Sequence, residues 1–369
     1  MAARTFTSAG VNNLWSNAAN WDTAPVDNDS VTIPVSQTCE FDADMSNAGT
    51  WPNGIAGITV TGTLKLTRTS GTYYLKIKAA TTILGAGTFD CGTSGDVIPF
   101  AAKHTVTGDS AWFIQGSGGL TMTVYGTEPA TKKVLLTALE PLGETVLAVD
   151  TNVTGDIWAA GDTIRIDNVN KDVQSESRVI AAGGIAAGTI TVTVGLTAAK
   201  IAGSVVSLIS RHLNFIGVDA AGYVAQNFAS GKLTIAGGAW TTANYRIFNA
   251  CTSMVISGGT FSGNTYGFIS CSGVTVSGGT FSGNTYGLYS CTGVTVSGGT
   301  FSGNNIGLYA CTGVTVSGGT FSGNTYGFNA CTGMTVSGGT FSGNNIGLYA
   351  CTGVTVSGGM FSGNISGLY

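Results

Sequence analysis

From residue 251 to residue 369 the chain is six copies of one 20-residue unit, and no Asp, Glu, Lys, Arg or His occurs there. The unit reads CTGVTVSGGTFSGNxxGLYA. Cys251, Cys271, Cys291, Cys311, Cys331 and Cys351 open the copies, and Arg246 is the last charged side chain before them. A short fixed period rich in Gly, Thr and Val marks a solenoid, in which one copy is one coil that buries itself only against its neighbours. The lack of charge limits chemistry on these coils. They supply no general acid, no general base and no oxygen ligand set for a hard cation.

The third copy shows how a coil is expected to form. Val294 and Val296 alternate inward, and Gly298 with Gly299 turns the chain. Phe301 faces the core between outward Thr300 and Ser302. Gly303 and Asn304 make the next corner, where Asn tolerates left-handed backbone and can bond the Asn of a neighbouring coil. The third strand is predicted over 307–310, with Leu308 and Ala310 inward and Tyr309 outward. Stacking then gives columns of one residue type. Phe261, Phe281, Phe301, Phe321, Phe341 and Phe361 form an aromatic core ladder, each ring worth roughly 1.5–3 kcal/mol when buried. The six Cys form a second core ladder. Neighbouring coils lie about 4.8 Å apart, slightly wide for a disulfide with its Cβ atoms at about 3.5–4.5 Å. A reduced stack is therefore expected, with alternate-rung disulfides or a soft-metal column as the other readings.

An outward stripe of Ile269, Tyr289, Tyr309, Asn329, Tyr349 and Tyr369 runs beside the third strand. Two readings fit it: aromatics that shield the strand, or a contact surface for a sugar or another subunit. The parallel Thr and Ser rows read as solvated β surface, or as a hydroxyl array that orders water.

Only 9% of the 369 residues are charged and the net charge is −4, against roughly 25% charged residues in ordinary domains. With no Lys/Arg cluster, a nucleic-acid partner is not expected. No apolar run approaches the length of a membrane span. The N-terminal MAARTFTSAGVNN has no apolar signal core, so no Sec signal is expected, unless a leader is missing. The last copy ends at Tyr369 with no charged or helical cap. Its open edge is expected to be covered by another subunit, head to tail, which would propagate a filament.

Before the repeats, short alternating β runs bounded by Gly, Asn, Asp and Ser fill two regions, 1–126 and 127–210. Irregular coils begin near 211, where Trp240 stands in the position that later coils give to Phe. The residues Trp15, Asn20 and Trp21, the run PVDNDSVTI from Pro25 to Ile33, Gly57 to Leu64, Cys91 with Pro99, and Leu120 to Gly126 resemble a G8 domain. Trp158 to Ile164, Glu176, Arg178 and Ser210 to Gly217 resemble the segment that follows it. Such domains occur in large extracellular and bacterial proteins and in hyaluronan-degrading relatives. The coils resemble the right-handed parallel β-helix of phage tailspikes and surface proteins. The resemblance implies a G8-like β domain at 1–126, a connecting β segment at 127–210, and the β-helix at 211–369.

Candidate chemistry is sparse. His104 and His212 read as structural. Asp167, Asn170, Asp172 and Glu176 loosely resemble a cation loop but fit no EF-hand spacing. Any enzyme would have to draw on Asp150, Asp156, Asp162, Glu176, Arg178, Arg211 or His212. The hyaluronan-degrading relatives carry charged groups on their coils and this chain does not. The expectation is therefore a non-enzymatic all-β structural protein, without cofactor or metal, that self-assembles into an extracellular or virion-associated fibre. The alternatives are a carbohydrate-binding adhesin or phage tailspike, then a polysaccharide-degrading enzyme or an ice-binding solenoid.

Overall fold

The computed structural model describes residues 2–368 except 11, 79–82, 100–101, 109–111, 117, 126–132, 155–157, 159–162, 168–175, 209–212, 218–222 and 243–245. In the third copy the strands are Thr295–Val296, Thr300–Ser302 and Ile306–Tyr309. Val294, Val296, Phe301 and Leu308 are fully buried, as the alternation requires. Gly299 turns the chain at φ +84, and a Cβ there would stand 2.8 Å from the Gly278 carbonyl of the preceding coil. Two details depart from the sequence reading. The third strand begins one residue earlier, and Ala310 is a half-exposed left-handed corner at φ +51 rather than a core residue. The left-handed residue at the Asn corner is Gly303, at φ +62, which frees Asn304 to turn inward and be buried.

Consecutive coils pair in parallel register, with Thr295 against Thr315, Phe301 against Phe321 and Leu308 against Phe328. This stacking is a parallel β-helix, and it does not start at the repeats. One all-parallel sheet of 13 strands runs from Ala3–Thr5 through Ser30–Ile33, Gly57–Val60 and Trp112–Gln115 to Ser366–Leu368. The other two faces also begin early, with Thr38–Phe41 and Thr63–Leu66 on one and Gly71–Ile77 and Ala102–Gly108 on the other. Both faces are carried by the long strands Leu233–Thr242 and Val255–Ser262. By its contacts, one compact unit comprises Met1–Gly126 with His212–Tyr369, and Thr127–Arg211 forms the other. The boundaries near 126 and 211 thus mark an insertion into the solenoid. The chain leaves a coil after Thr121–Val124 and resumes it at Leu213–Gly217.

The inserted unit is antiparallel. Its six strands run in the order Lys133–Leu135, Val205–Leu208, Thr163–Asp167, Glu176–Ala186, Thr189–Val192 and Val146–Ala148. The two outer strands join through the Leu136–Val149 bridge, so the sheet closes on itself as a small barrel. Trp158, Ile164, Ile166, Ile190 and Val206 fill its own core.

At its N-terminal end the solenoid carries an aromatic cluster. Trp21 packs edge-on against Phe6 at 5.1 Å and Trp15 at 4.8 Å, and its indole N–H donates to the Trp15 carbonyl. Asn20 is buried and donates to the Leu14 carbonyl. The aromatic residues that carried the G8 resemblance therefore pack the first coils of the β-helix.

Candidate functional site

On the third face the first five repeats each contribute a four-residue strand whose two middle residues are buried and whose last reaches the surface; the first also does so in all of them except at Ile306, which is buried. The first middle residue is Gly for a steric reason. A Cβ on Gly287 would stand 2.5 Å from the Gly307 carbonyl and 3.2 Å from the Phe301 ring. The Phe column behind it is tight, with centroids 4.4 Å apart between Phe281 and Phe301 and 4.8 Å between Phe301 and Phe321. This core holds the outer residues in fixed columns. Cys251, Cys271, Cys291, Cys311 and Cys331 are fully buried, Cys351 is half-buried, and all six are free of disulfides. Each thiol donates to the carbonyl two residues earlier, as Cys311 does to Tyr309 at 3.4 Å.

The register aligns Ile269, Tyr289, Tyr309, Asn329 and Tyr349 in one outer column; Tyr369 lies outside the described residues. A second column stands at the first strand position: Arg246, Tyr266, Tyr286, Ile306, Tyr326 and Ile346. The sequence reading missed it because a strand over 307–310 left those residues in the preceding corner. The signal was present, since Tyr recurs at 266, 286 and 326 two residues after the corner Asn.

The two columns touch. Tyr286 lies 5.2 Å from Tyr266, 5.1 Å from Tyr289 and 5.2 Å from Tyr309, and Tyr289 stacks on Tyr309 at 5.3 Å. Tyr326 and Tyr349 form a further pair at 5.1 Å. All these rings are half-buried. Burial, with Tyr266, Tyr309 and Tyr289 around it, raises the Tyr286 phenol above its ordinary pKa, so it remains a neutral donor. Towards the N-terminus the outer column continues in amides. Asn249 donates to Gln226 at 3.3 Å, and Asn227 to Gln115 at 3.4 Å. The Arg246 guanidinium carbon lies 5.4 Å from the Tyr266 ring centroid. Among the described residues the face is therefore an aromatic ladder with hydroxyl and amide hydrogen-bonding groups, and Arg246 packs against its first ring.

The residues considered for acid–base chemistry lie elsewhere. His104 is buried, with a ring nitrogen 2.7 Å from the Thr67 carbonyl and its face on Tyr73. Asp150 is exposed and accepts from the Leu135 N–H. Glu176 is held by groups of the barrel itself. Lys200 stands 3.0 Å from one of its oxygens, and Arg178 with the Thr197 N–H and hydroxyl donates to the other. Asp156, Asp162, Asn170, Asp172, Arg211 and His212 lie outside the described residues, and of Asp167 only the strand position is described.

The sequence profile of a family described as "Periplasmic copper-binding protein (NosD)" matches residues 207–367. The six thiols stand in single file inside the coils, one per turn, and among the described residues no three His, Cys, Asp or Glu side chains converge on a metal position. No curated protein matches the chain. Among solved structures it is similar to the Gp54 tailspike of Acinetobacter baumannii bacteriophage AP22, in complex with A. baumannii capsular saccharide. That likeness has 10% identity, 82% of this chain, 53% of the other and a TM-score of 0.24. It is also similar to the tailspike gp61 of Pseudomonas phage phi297, with 12% identity, 90% of this chain, 66% of the other and a TM-score of 0.21. The tailspike gp49 of Pseudomonas phage LKA1 matches with 13% identity, 92% of this chain, 55% of the other and a TM-score of 0.27. The chain thus spans between about half and two thirds of the length of these structures.

One expectation is corrected at this point. The chain was expected not to be an enzyme, because its repeats carry no charge. The solved structures like it are tailspikes, one of them holding a capsular saccharide, and that expectation is withdrawn. The charge argument covered only the late coils. Ionisable groups such as Glu40, Asp90 and Arg68 lie on the early coils, and Glu176 with Arg178 in the barrel.

Proposed function

We propose that the chain is a glycan-binding β-helix of the tailspike kind, which holds a polysaccharide along the ladder of Tyr266, Tyr286, Tyr289, Tyr309, Tyr326 and Tyr349. The observation that carries this reading is the mutual contact of four half-exposed tyrosines on a rigid, uncharged face. Sugar rings present C–H faces to aromatic rings and hydroxyls to neutral donors and acceptors, and this face offers both. The capsular saccharide named for the AP22 tailspike sets the first ligand class to try. Localisation on a virion or cell surface, and the G8-like reading of residues 1–217, belong to the same proposal.

Glycan-array binding followed by titration tests it. Tyr286→Ala and Tyr309→Ala are each expected to weaken binding about tenfold, near 1.4 kcal/mol, with the thermal melt little changed. Unaltered binding in the double variant would remove the ladder from the function.

A further inference from the structure

Resting on the ladder as the sugar site, we infer that it holds one sugar unit of a neutral polysaccharide in a notch at Asn329, between Tyr309 and Tyr349, with the Asn329 amide on two adjacent hydroxyls. The register column reads Tyr289, Tyr309, Asn329, Tyr349, so on one coil a short amide takes the place of a ring. Tyr289 and Tyr286, both on the preceding coil, lie 5.3 Å and 5.2 Å from Tyr309. Towards the following coil no ring lies against Tyr309 among the described residues, because Asn329 stands there. Two coil spacings of about 4.8 Å put Tyr309 and Tyr349 roughly 9.6 Å apart. Van der Waals contact with a ring takes about 3.5–4.0 Å on each side. A flat ligand would leave this gap underfilled, whereas the puckered ring of a sugar fills it with C–H groups on both faces. Tyr326, on the same coil as Asn329, stands beside the notch and lies 5.1 Å from Tyr349. Behind it Phe328 packs edge-on between Phe321 at 4.7 Å and Phe341 at 5.1 Å, which fixes the strand that carries Asn329. Asn329 is half-buried, and its side-chain amide bonds no described residue. A carboxamide offers both an acceptor and donors, so it can meet one hydroxyl that donates and a neighbouring one that accepts. No Asp, Glu, Lys, Arg or His follows Arg246. A charged sugar between the two rings would lose water without gaining a counter-charge, and a neutral one carries no such cost.

Titration of the full chain with malto-, cello- and manno-oligosaccharides, each beside its O-methylated form, and with oligosaccharides of polygalacturonate tests this. The native chain is expected to bind a free neutral form about tenfold more tightly than its methylated partner. Asn329→Tyr completes the aromatic column and fills the notch. It is expected to weaken binding at least about tenfold without lowering the melting temperature, since Tyr289, Tyr309 and Tyr349 hold the same place on other coils. Asn329→Ala keeps the gap and removes the amide, with a loss of about tenfold. Unchanged or tighter binding by Asn329→Tyr would overturn the inference and leave the ladder reading standing, and so would equal binding of the methylated forms or binding confined to polygalacturonate. Absence of binding to every glycan would overturn both. Should Asn329→Tyr melt early, Asn329→Ala and the methylated forms carry the decision.

Discussion

The Oδ1 of Asn304 accepts two hydrogen bonds from Asn284, one from its backbone N–H at 3.0 Å and one from its Nδ2 at 3.1 Å. Asn304 in turn donates to the Phe281 carbonyl and to Asn324, and the pattern recurs from Asn264 to Asn364. Asn304→Ala removes the acceptor for two buried donors of Asn284 and a donor to Phe281. Each buried group left unpaired costs about 1–3 kcal/mol, so a loss of about 3 kcal/mol or more is expected in chemical denaturation. An equal loss for the exposed neighbour Asn305→Ala would show that the ladder is not the cause.

The Phe column predicts a gradient along the stack. Phe301 is sealed between Phe281 and Phe321, whereas Phe361 is only partly buried. Phe301→Ala is expected to cost about 3–5 kcal/mol through lost burial and the cavity left behind, and Phe361→Ala clearly less. Denaturation midpoints of the two variants measure this.

The late coils were legible because twenty residues of near-identical sequence make one turn of backbone. The early coils were not. Successive partners Val31, Ile58, Ile83 and Ile114 are 27, 25 and 31 residues apart, so no period betrays them. Runs such as Thr38–Phe41 read as strands, but nothing local says that they stack in parallel instead of pairing as hairpins. Barrel closure was equally hidden, since Lys133–Leu135 pairs with Val205–Leu208 across most of the insert. The outer register column from Ile269 to Tyr349 was legible in the sequence. The other column, with Tyr266, Tyr286 and Tyr326, was lost to a one-residue error in strand position. The withdrawn view of its chemistry rested on the uncharged repeats, because the hyaluronan-degrading proteins that the chain resembles carry their charged groups on the coils.

Relief of backbone strain is expected at the corner before each Cys. Ala310, Ala330 and Ala350 adopt φ of 51, 54 and 49, a region that costs a side chain about 1 kcal/mol. Ala310→Gly is expected to stabilise by up to about 1 kcal/mol, less the entropy that Gly adds to the unfolded chain. Ser253→Gly tests the same effect two residues after the first Cys, where the next five copies already have Gly at φ near +62. A lower melting temperature in both variants would refute the strain.

Acid is expected to act on the inserted barrel. Burial opposes the charged form of Glu176, but the Thr197 N–H, Lys200 and the Thr197 hydroxyl outweigh it and hold the carboxyl below its ordinary value of 4.5. A depressed carboxyl contributes stability that is complete above the unfolded value and is lost as pH falls through the folded one. The barrel should therefore be insensitive to pH near neutrality and weaken below about 4.5, a trend that Glu176→Gln abolishes. Because that variant removes the carboxylate facing the fully buried Lys200, it should also cost about 3–5 kcal/mol at neutral pH. Tryptophan emission from Trp158, in the barrel core, reports the transition.

The coincidence of one sequence repeat with one turn of backbone makes the tyrosine face a ruler. Removing the twenty residues from 291 to 310 would rejoin Ser290 to Cys311 with every core column intact and the ladder one rung shorter. If the proposed glycan lies along this face, the length it spans is then written in the gene as a whole number of copies, open to change by unequal recombination without any new contact having to evolve.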